Sequence, residues 1–144
     1  MIREMTDTDI DKAINIWKNA MPLAHKNIPQ EYWDTLLPNI LDELKNADEK
    51  YVYVEDKMIV GFIAMRTKDN YIYELCVDSG MQGTGIGTQL VDKLKTAHQY
   101  LTLHVYEQNV NVGFYTSPRQ AFKEIAESLK PARKYPKLFM KWSK

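Results

Sequence analysis

Apolar residues recur at helical spacing in the first third of the chain, switch to strand-like runs in the middle, and return to helical spacing near residue 90. Ile10, Ala13, Ile14 and Trp17 stand at i, i+3, i+4 and i+7, the stripe of an amphipathic helix. Thr6 is placed to cap it, Asp7 and Asp9 suit its positive end, and Pro22 is expected to end it. Residues 21–29 read as a connector. A second stripe follows Glu31 with Leu37, Ile40, Leu41 and Leu44, and Pro38 suits either its first turn or a break.

Residues 51–54 and 58–65 are strand-like runs around a tight Glu55-Asp56-Lys57 turn. Lys68-Asp69-Asn70 makes the next turn, and Tyr71–Val77 completes a three-stranded meander. Beyond a glycine-rich loop, Ile86, Leu90, Val91, Leu94 and Ala97 mark a third helix, and a strand follows at Tyr100–Tyr106. Residues 110–115 suit a short helix stopped before Pro118. Two more strands are expected near residues 122–127 and 138–142, around a basic connector at 130–137. With a short first strand at Ile2–Glu4, the order is β-α-α-β-β-β-α-β-α-β-β. Antiparallel strands followed by a βαβ step predict an α/β fold, an α+β mixed sheet with helices on both faces. No repeat or linker interrupts residues 1–144, which read as a single domain.

Composition narrows the function. At 144 residues and 44% hydrophobic content, the chain has apolar mass for one core. Lys plus Arg and Asp plus Glu both number 19, so no global field holds nucleic acid. The single Cys76 excludes a disulfide framework and a Cys-rich zinc site, and no metal is expected. No apolar run reaches the ~18 residues of a membrane span. The first residues turn acidic before any apolar stretch, unlike a signal peptide. These features predict a cytoplasmic protein, monomer or homodimer, without membrane or nucleic-acid partners. Charge is uneven, however. Residues 1–56 carry six basic and twelve acidic side chains, and residues 118–144 carry eight basic and two acidic. The acidic part is either an ordinary solvated face or a field that attracts a cationic partner.

Gln82-Gly83-Thr84-Gly85-Ile86-Gly87, followed by Thr88, is the most informative segment. Alternate glycines between a strand end and a helix start permit positive φ and close backbone approach to a ligand. Their N–H groups, with the helix dipole behind them, favour phosphate or pyrophosphate. The G-x-G-x-G spacing departs from the dinucleotide fingerprint, and Gly87-Thr88 lacks the lysine of a Walker loop. A turn that merely packs a helix on a sheet needs fewer glycines.

Leu75-Cys76-Val77-Asp78 followed by Gln82–Gly87 resembles the acetyl-CoA-binding motif of the GNAT superfamily of N-acetyltransferases, Arg/Gln-x-x-Gly-x-Gly/Ala after the fourth strand. Downstream, Leu103-His104-Val105, Asn109 and Gly113-Phe114-Tyr115 resemble the family's fifth strand, its asparagine and its Phe-Tyr helix. The element order matches as well, so the likeness covers nearly the whole chain. The overall look is that of small single-domain bacterial members, some of which acetylate protein lysines. In two places the chain departs from the pattern. The family continues Tyr-x-x-x-Gly-Phe, whereas Tyr115 leads to Ala121-Phe122, with the aromatic two residues late and the glycine missing. Ser79 stands where a proline is common.

The resemblance implies a co-substrate, acetyl-CoA, and direct acetyl transfer to a primary amine: a protein lysine, an N-terminus or a small amine. It implies a splay between the fourth and fifth strands that leaves main-chain groups of Leu75, Cys76 and Val77 free for the pantetheine and the thioester oxygen. Asn109 would meet the pantetheine arm, a role compatible with capping the following helix. Tyr115 is placed as general acid, since a phenol with pKa ~10 has a proton to give. An amine of pKa ~10.4 must also lose a proton before attack. Glu74 is one candidate base, either in the cleft or on a solvated face, because alternation opposes it to Leu75 and Val77. His25 is another, expected in the loop between the first two helices, over the acceptor channel. His104 reads as structural, and Cys76, without a histidine–acid pair, as inert packing. A non-catalytic acyl-CoA-binding or sensor module is the alternative.

Overall fold

The computed structural model describes residues 1–125 and 135–144. The strands are β1 (Ile2–Glu4), β2 (Glu49–Glu55), β3 (Met58–Arg66), β4 (Tyr71–Val77), β5 (Tyr100–Tyr106), β6 (Lys123–Ile125) and β7 (Lys137–Ser143). They form one seven-stranded sheet of order β1-β2-β3-β4-β5-β7-β6. All neighbours are antiparallel except β4 and β5, which run parallel. Helices α1 (Ile10–Ala24) and α2 (Gln30–Asn46) cover one face, α3 (Ile86–Lys95) covers the other, and a short α4 spans Val112–Thr116.

The two-residue period of β3 makes both cores. Phe62 and Ala64 pack with Trp17, Trp33 and Leu44 on the α1/α2 side, while Ile63 and Met65 pack with Leu90, Leu94 and Leu101 on the α3 side. A strand apolar on both faces belongs in the sheet interior, between layers of helices.

Pro22 lies inside α1 rather than ending it. The proline lacks the N–H that would reach the Lys18 carbonyl, and the last turn of the helix ends on His25, whose Nδ1 donates to the Met21 carbonyl at 2.8 Å. The connector therefore shrinks to the residues between Ala24 and Gln30. Pro38 is neither in the first turn of α2 nor a break in it. Trp33, Ile40 and Leu44 are buried on either side of it. Each such side chain gains about 1.5–3 kcal/mol by burial, which together outweighs the ~3 kcal/mol cost of an interior proline. Leu41, expected in the buried stripe, faces solvent. The fourth helix starts at Val112, two residues later than expected, with Asn111 and not Asn109 before it. Of the expected sixth strand, Lys123–Ile125 is formed, whereas residues 126–127 and the connector residues 130–134 lie outside the described residues.

Two irregularities in β4 create the site. Ala64 pairs with Glu74 but Met65 pairs with Ile72, so Tyr73 is an extra residue, a β-bulge. Beyond it, β4 and β5 are paired only at Tyr71–Thr102 and Ile72–Leu103. From Tyr73 onward the two strands part, and a cleft opens between their ends.

Candidate active site

The loop after β4 presents its main chain to this cleft. Gly83 and Gly85 hold φ of +81° and +87°, a region that favours glycine. A Cβ at either position would meet nothing within 4 Å, so the requirement comes from the backbone angle and not from crowding. Gln82 stays in place because its amide Nε2 donates to the Val77 carbonyl at 3.2 Å. The N–H groups of Gly83 to Thr88 have no partner among the described residues, and the first bond of α3 is Gln89 N–H to the Gly85 carbonyl. Unpaired amides at the positive end of a ten-residue helix make an anion cradle.

A cleft of about 350 Å³ runs from this loop toward Tyr115, past Val77, Asn109 and Phe114. Asp78 N–H donates to the Val60 carbonyl, so alternation turns the main chain of Cys76 and Glu74 toward β3. The main-chain groups of Leu75 and Val77 face the other way, into the splay. Cys76, expected to offer a free main chain there, lines the cleft but its peptide groups belong to the β3 ladder. Burial pushes its thiol well above the ordinary range, which keeps it protonated and a poor nucleophile. Asn109 also borders the cleft, and its Oδ1 accepts the Asn111 N–H at 2.6 Å, which fixes the entry to α4.

A second cavity, about 230 Å³, lies beneath α1 and α2. Met21, Leu75, Asn109 and Tyr115 line both spaces, so the two meet there. Alternation with Leu75 and Val77 puts Glu74, the partner of Ala64, on the α1/α2 face inside this cavity, and the bulge at Tyr73 is what returns Ile72 to the α3 side. Burial first, and then the charge of Glu43, raises the Glu74 carboxyl to about 8, while Lys137 and the Trp17 indole oppose the shift. Glu43, from α2, lines the same cavity, and burial raises its carboxyl to about 7. Sequence reasoning missed it.

His25 lies between the first two helices, as expected, but it is buried. It closes α1 at 1% exposure, with its ring 4.9 Å from that of Trp33 and 5.1 Å from that of Tyr106. Burial lowers its pKa, partly offset by the bond to Met21, and Lys137 lowers it further. Because Nδ1 donates to Met21, Nε2 carries the lone pair, and it has no partner among the described residues. His104 sits on β5 with Nδ1 2.7 Å from the Tyr71 hydroxyl.

Tyr115 stands on α4 where the two cavities join. Burial, with smaller contributions from Cys76 and Glu74, raises its hydroxyl above the ordinary tyrosine range, so it holds its proton at neutral pH. The structure thus brings Tyr115, Glu74 and His25 to one cavity, and Gln82–Thr88 with Leu75 and Val77 to the adjoining cleft. No group of three or more metal-ligating side chains occurs among the described residues. None of their helices is long and apolar enough to cross a membrane.

The family model for the acetyltransferase (GNAT) domain matches residues 26–132. The chain is 24% identical over 143 residues to the peptidyl-lysine N-acetyltransferase YiaC of Escherichia coli, covering 99% of this chain and 96% of that one. It is 30% identical over 128 residues to the peptidyl-lysine N-acetyltransferase YjaB of Salmonella typhimurium, covering 88% and 86%. Among solved structures, apo YjaB from Escherichia coli superposes with a TM-score of 0.80 at 25% identity, covering 99% of this chain and 95% of that one. The PaiA N-acetyltransferase of Thermoplasma acidophilum, solved with coenzyme A, shares the fold at a TM-score of 0.79 and 17% identity, covering 100% and 98%.

Proposed function

The chain belongs to the GNAT acetyltransferase family and is an acetyl-CoA-dependent N-acetyltransferase; from that premise we propose that its acceptor is the side-chain amine of a protein or peptide lysine. The observation that carries this reading is the junction at Tyr115 of two spaces with opposite character. One ends on unpaired amides suited to a diphosphate, and the other holds the Glu43 and Glu74 carboxyl groups, which draw a cation as they ionise. Both similar proteins named above act on peptidyl lysine.

Acetyl-CoA supplies an acetyl group activated as a thioester. The amides of Gly83 to Thr88 bind its diphosphate, and Asn109 and the main chain of Leu75 and Val77 orient the arm that follows. A main-chain N–H at the splay strengthens its bond as negative charge builds on the carbonyl oxygen. Glu74 takes a proton from the acceptor amine. A base with a pKa near 8 is better matched to an amine of pKa ~10.4 than an ordinary carboxylate. Tyr115 gives its proton to the departing sulfur. The low pKa and packed ring of His25 suit it to accept a hydrogen bond rather than carry charge.

The acceptor assignment is tested with peptides whose N-terminus is blocked and which hold a single lysine. Thiol release dependent on the peptide, with the acetyl group on that lysine by mass spectrometry, is the expected result. Turnover of small amines with no acetylation of any lysine peptide would overturn it.

A further inference from the structure

Four buried side-chain polar atoms lack a hydrogen-bond partner among the described residues, and three of them belong to residues that line the cavity beneath α1 and α2: His25 Nε2, Glu43 Oε1 and Trp33 Nε1. His25 and Trp33 are each 1% exposed. Leaving a buried polar atom unpaired costs about 1–3 kcal/mol, so three such atoms around one space mark a surface shaped for a polar ligand.

Their chemistry limits that ligand. His25 Nε2 bears a lone pair because Nδ1 is committed to Met21, and Glu43 Oε1 is an acceptor. Trp33 Nε1 is a donor and complements an oxygen of the acceptor molecule. Trp17, Trp33 and Tyr106 line the cavity, with the Trp33 ring edge-on to Trp17 at 6.2 Å and to Tyr106 at 5.4 Å. Aromatic surface favours an organic cation over a hydrated ion. Glu74 on β4 lines the same cavity, as do Lys137 on β7, and Tyr71 and His104 beside it. Lys137 favours ionisation of both carboxylates, as Arg66 does for Glu43.

We infer that Glu43 and His25 form the receptor for the acceptor's ammonium group, with Glu43 the residue that selects a cationic amine and hands it to Glu74. This deepens the reading of the acceptor given above and rests on the same cavity. Glu43 touches the ammonium without taking the transferred acetyl, so it is a specificity residue and Glu74 remains the base.

The test uses the full chain loaded with coenzyme A and n-butylamine as a lysine side-chain probe, with n-butanol as its uncharged counterpart. Glu43→Gln keeps the shape and removes a buried charge, so folding is preserved. In the wild type, calorimetry should show n-butylamine binding well ahead of n-butanol. In the variant that preference should fall at least tenfold, with coenzyme A affinity unchanged. A companion His25→Gln variant, which keeps an acceptor, should bind n-butylamine more tightly than His25→Leu. The acid limb of kcat/KM should move to lower pH in Glu43→Gln, because Glu74 loses a like-charged neighbour. Unchanged n-butylamine preference in Glu43→Gln overturns the inference, even if lysine peptides are substrates. Loss of that preference supports it, even if lysine peptides are not acetylated and only the lysine assignment fails.

Discussion

The Phe122 amide donates to the Tyr115 carbonyl at 2.9 Å, tying the segment after α4 back to the tyrosine at the junction of the two cavities. The residue between them in this turn, Ala121, carries φ of +59°. An alanine there is strained by about 1 kcal/mol. The family pattern has a glycine before its aromatic, and here Ala121 holds a left-handed backbone angle directly before Phe122.

Ala121→Gly should therefore stabilise the fold by about 1 kcal/mol, which for a chain of this size is a rise of roughly 3 °C in Tm. Calorimetry checks it. Because the Tyr115–Phe122 bond is retained, kcat should stay near the wild-type value. A fall in Tm would mean that the strain is not at Ala121.

Gly83→Ala and Gly85→Ala place a side chain in open space but on a backbone angle that alanine disfavours. The loop must shift to relieve it, and the amides lose their common aim. The KM for acetyl-CoA should rise tenfold or more in each variant, while the KM for the amine changes little. Steady-state kinetics at varied donor and acceptor separate the two effects.

Much of this was legible beforehand because it rests on local pattern. The β4 and β5 boundaries follow from apolar runs between turn residues, and the loop declares itself by glycine spacing. The α1 and α2 boundaries were harder because prolines normally stop helices, and only tertiary burial of Trp17, Trp33 and Ile40 carries the chain through them. The side of the sheet that Glu74 takes follows from its alternation with Leu75 and Val77, whereas the return of Ile72 to their side depends on the Tyr73 bulge. Its trace in the sequence is the apolar set Ile72, Leu75, Val77, where a spacing of three interrupts a period of two. Glu43 also left a trace, since it falls three residues after Ile40 and seven after Leu36, a polar residue on an apolar helical face. Its pairing with Glu74 across two elements is not a local property and had no signal at all.

Glu74 gives a pH dependence of defined sign. A base raised to about 8 is ionised only above that value, so kcat/KM should rise with pH through about 8 and then level. Glu74→Gln should lower kcat/KM by about 10²-fold or more and lose that rise. Stability runs the other way. The folded-state pKa lies above the ordinary 4.5, so the native chain binds the proton more tightly than the unfolded one. The associated stability is complete below pH ~4.5 and is lost as pH climbs through the folded value. Glu74→Gln, which cannot ionise, should melt above the wild type at pH 9, and the gap should close at pH 4.

Tyr115→Phe separates proton donation from placement. The phenyl ring keeps its edge-on contacts with Phe114 and Phe122, whose centroids lie 5.2 and 5.7 Å away, so α4 should fold as before. The loop amides are untouched, and the KM for acetyl-CoA should stay within a few-fold of the wild type. The hydroxyl proton, held firmly because burial raises the pKa, is gone. The thiolate must then leave unprotonated or draw a proton from water, and a positioned acid is worth about 10²–10⁴ in rate. We expect kcat to fall by that factor, and a donor whose thiol is more acidic should recover part of the loss. Full activity in Tyr115→Phe would remove this residue from the acid role and leave protonation to solvent.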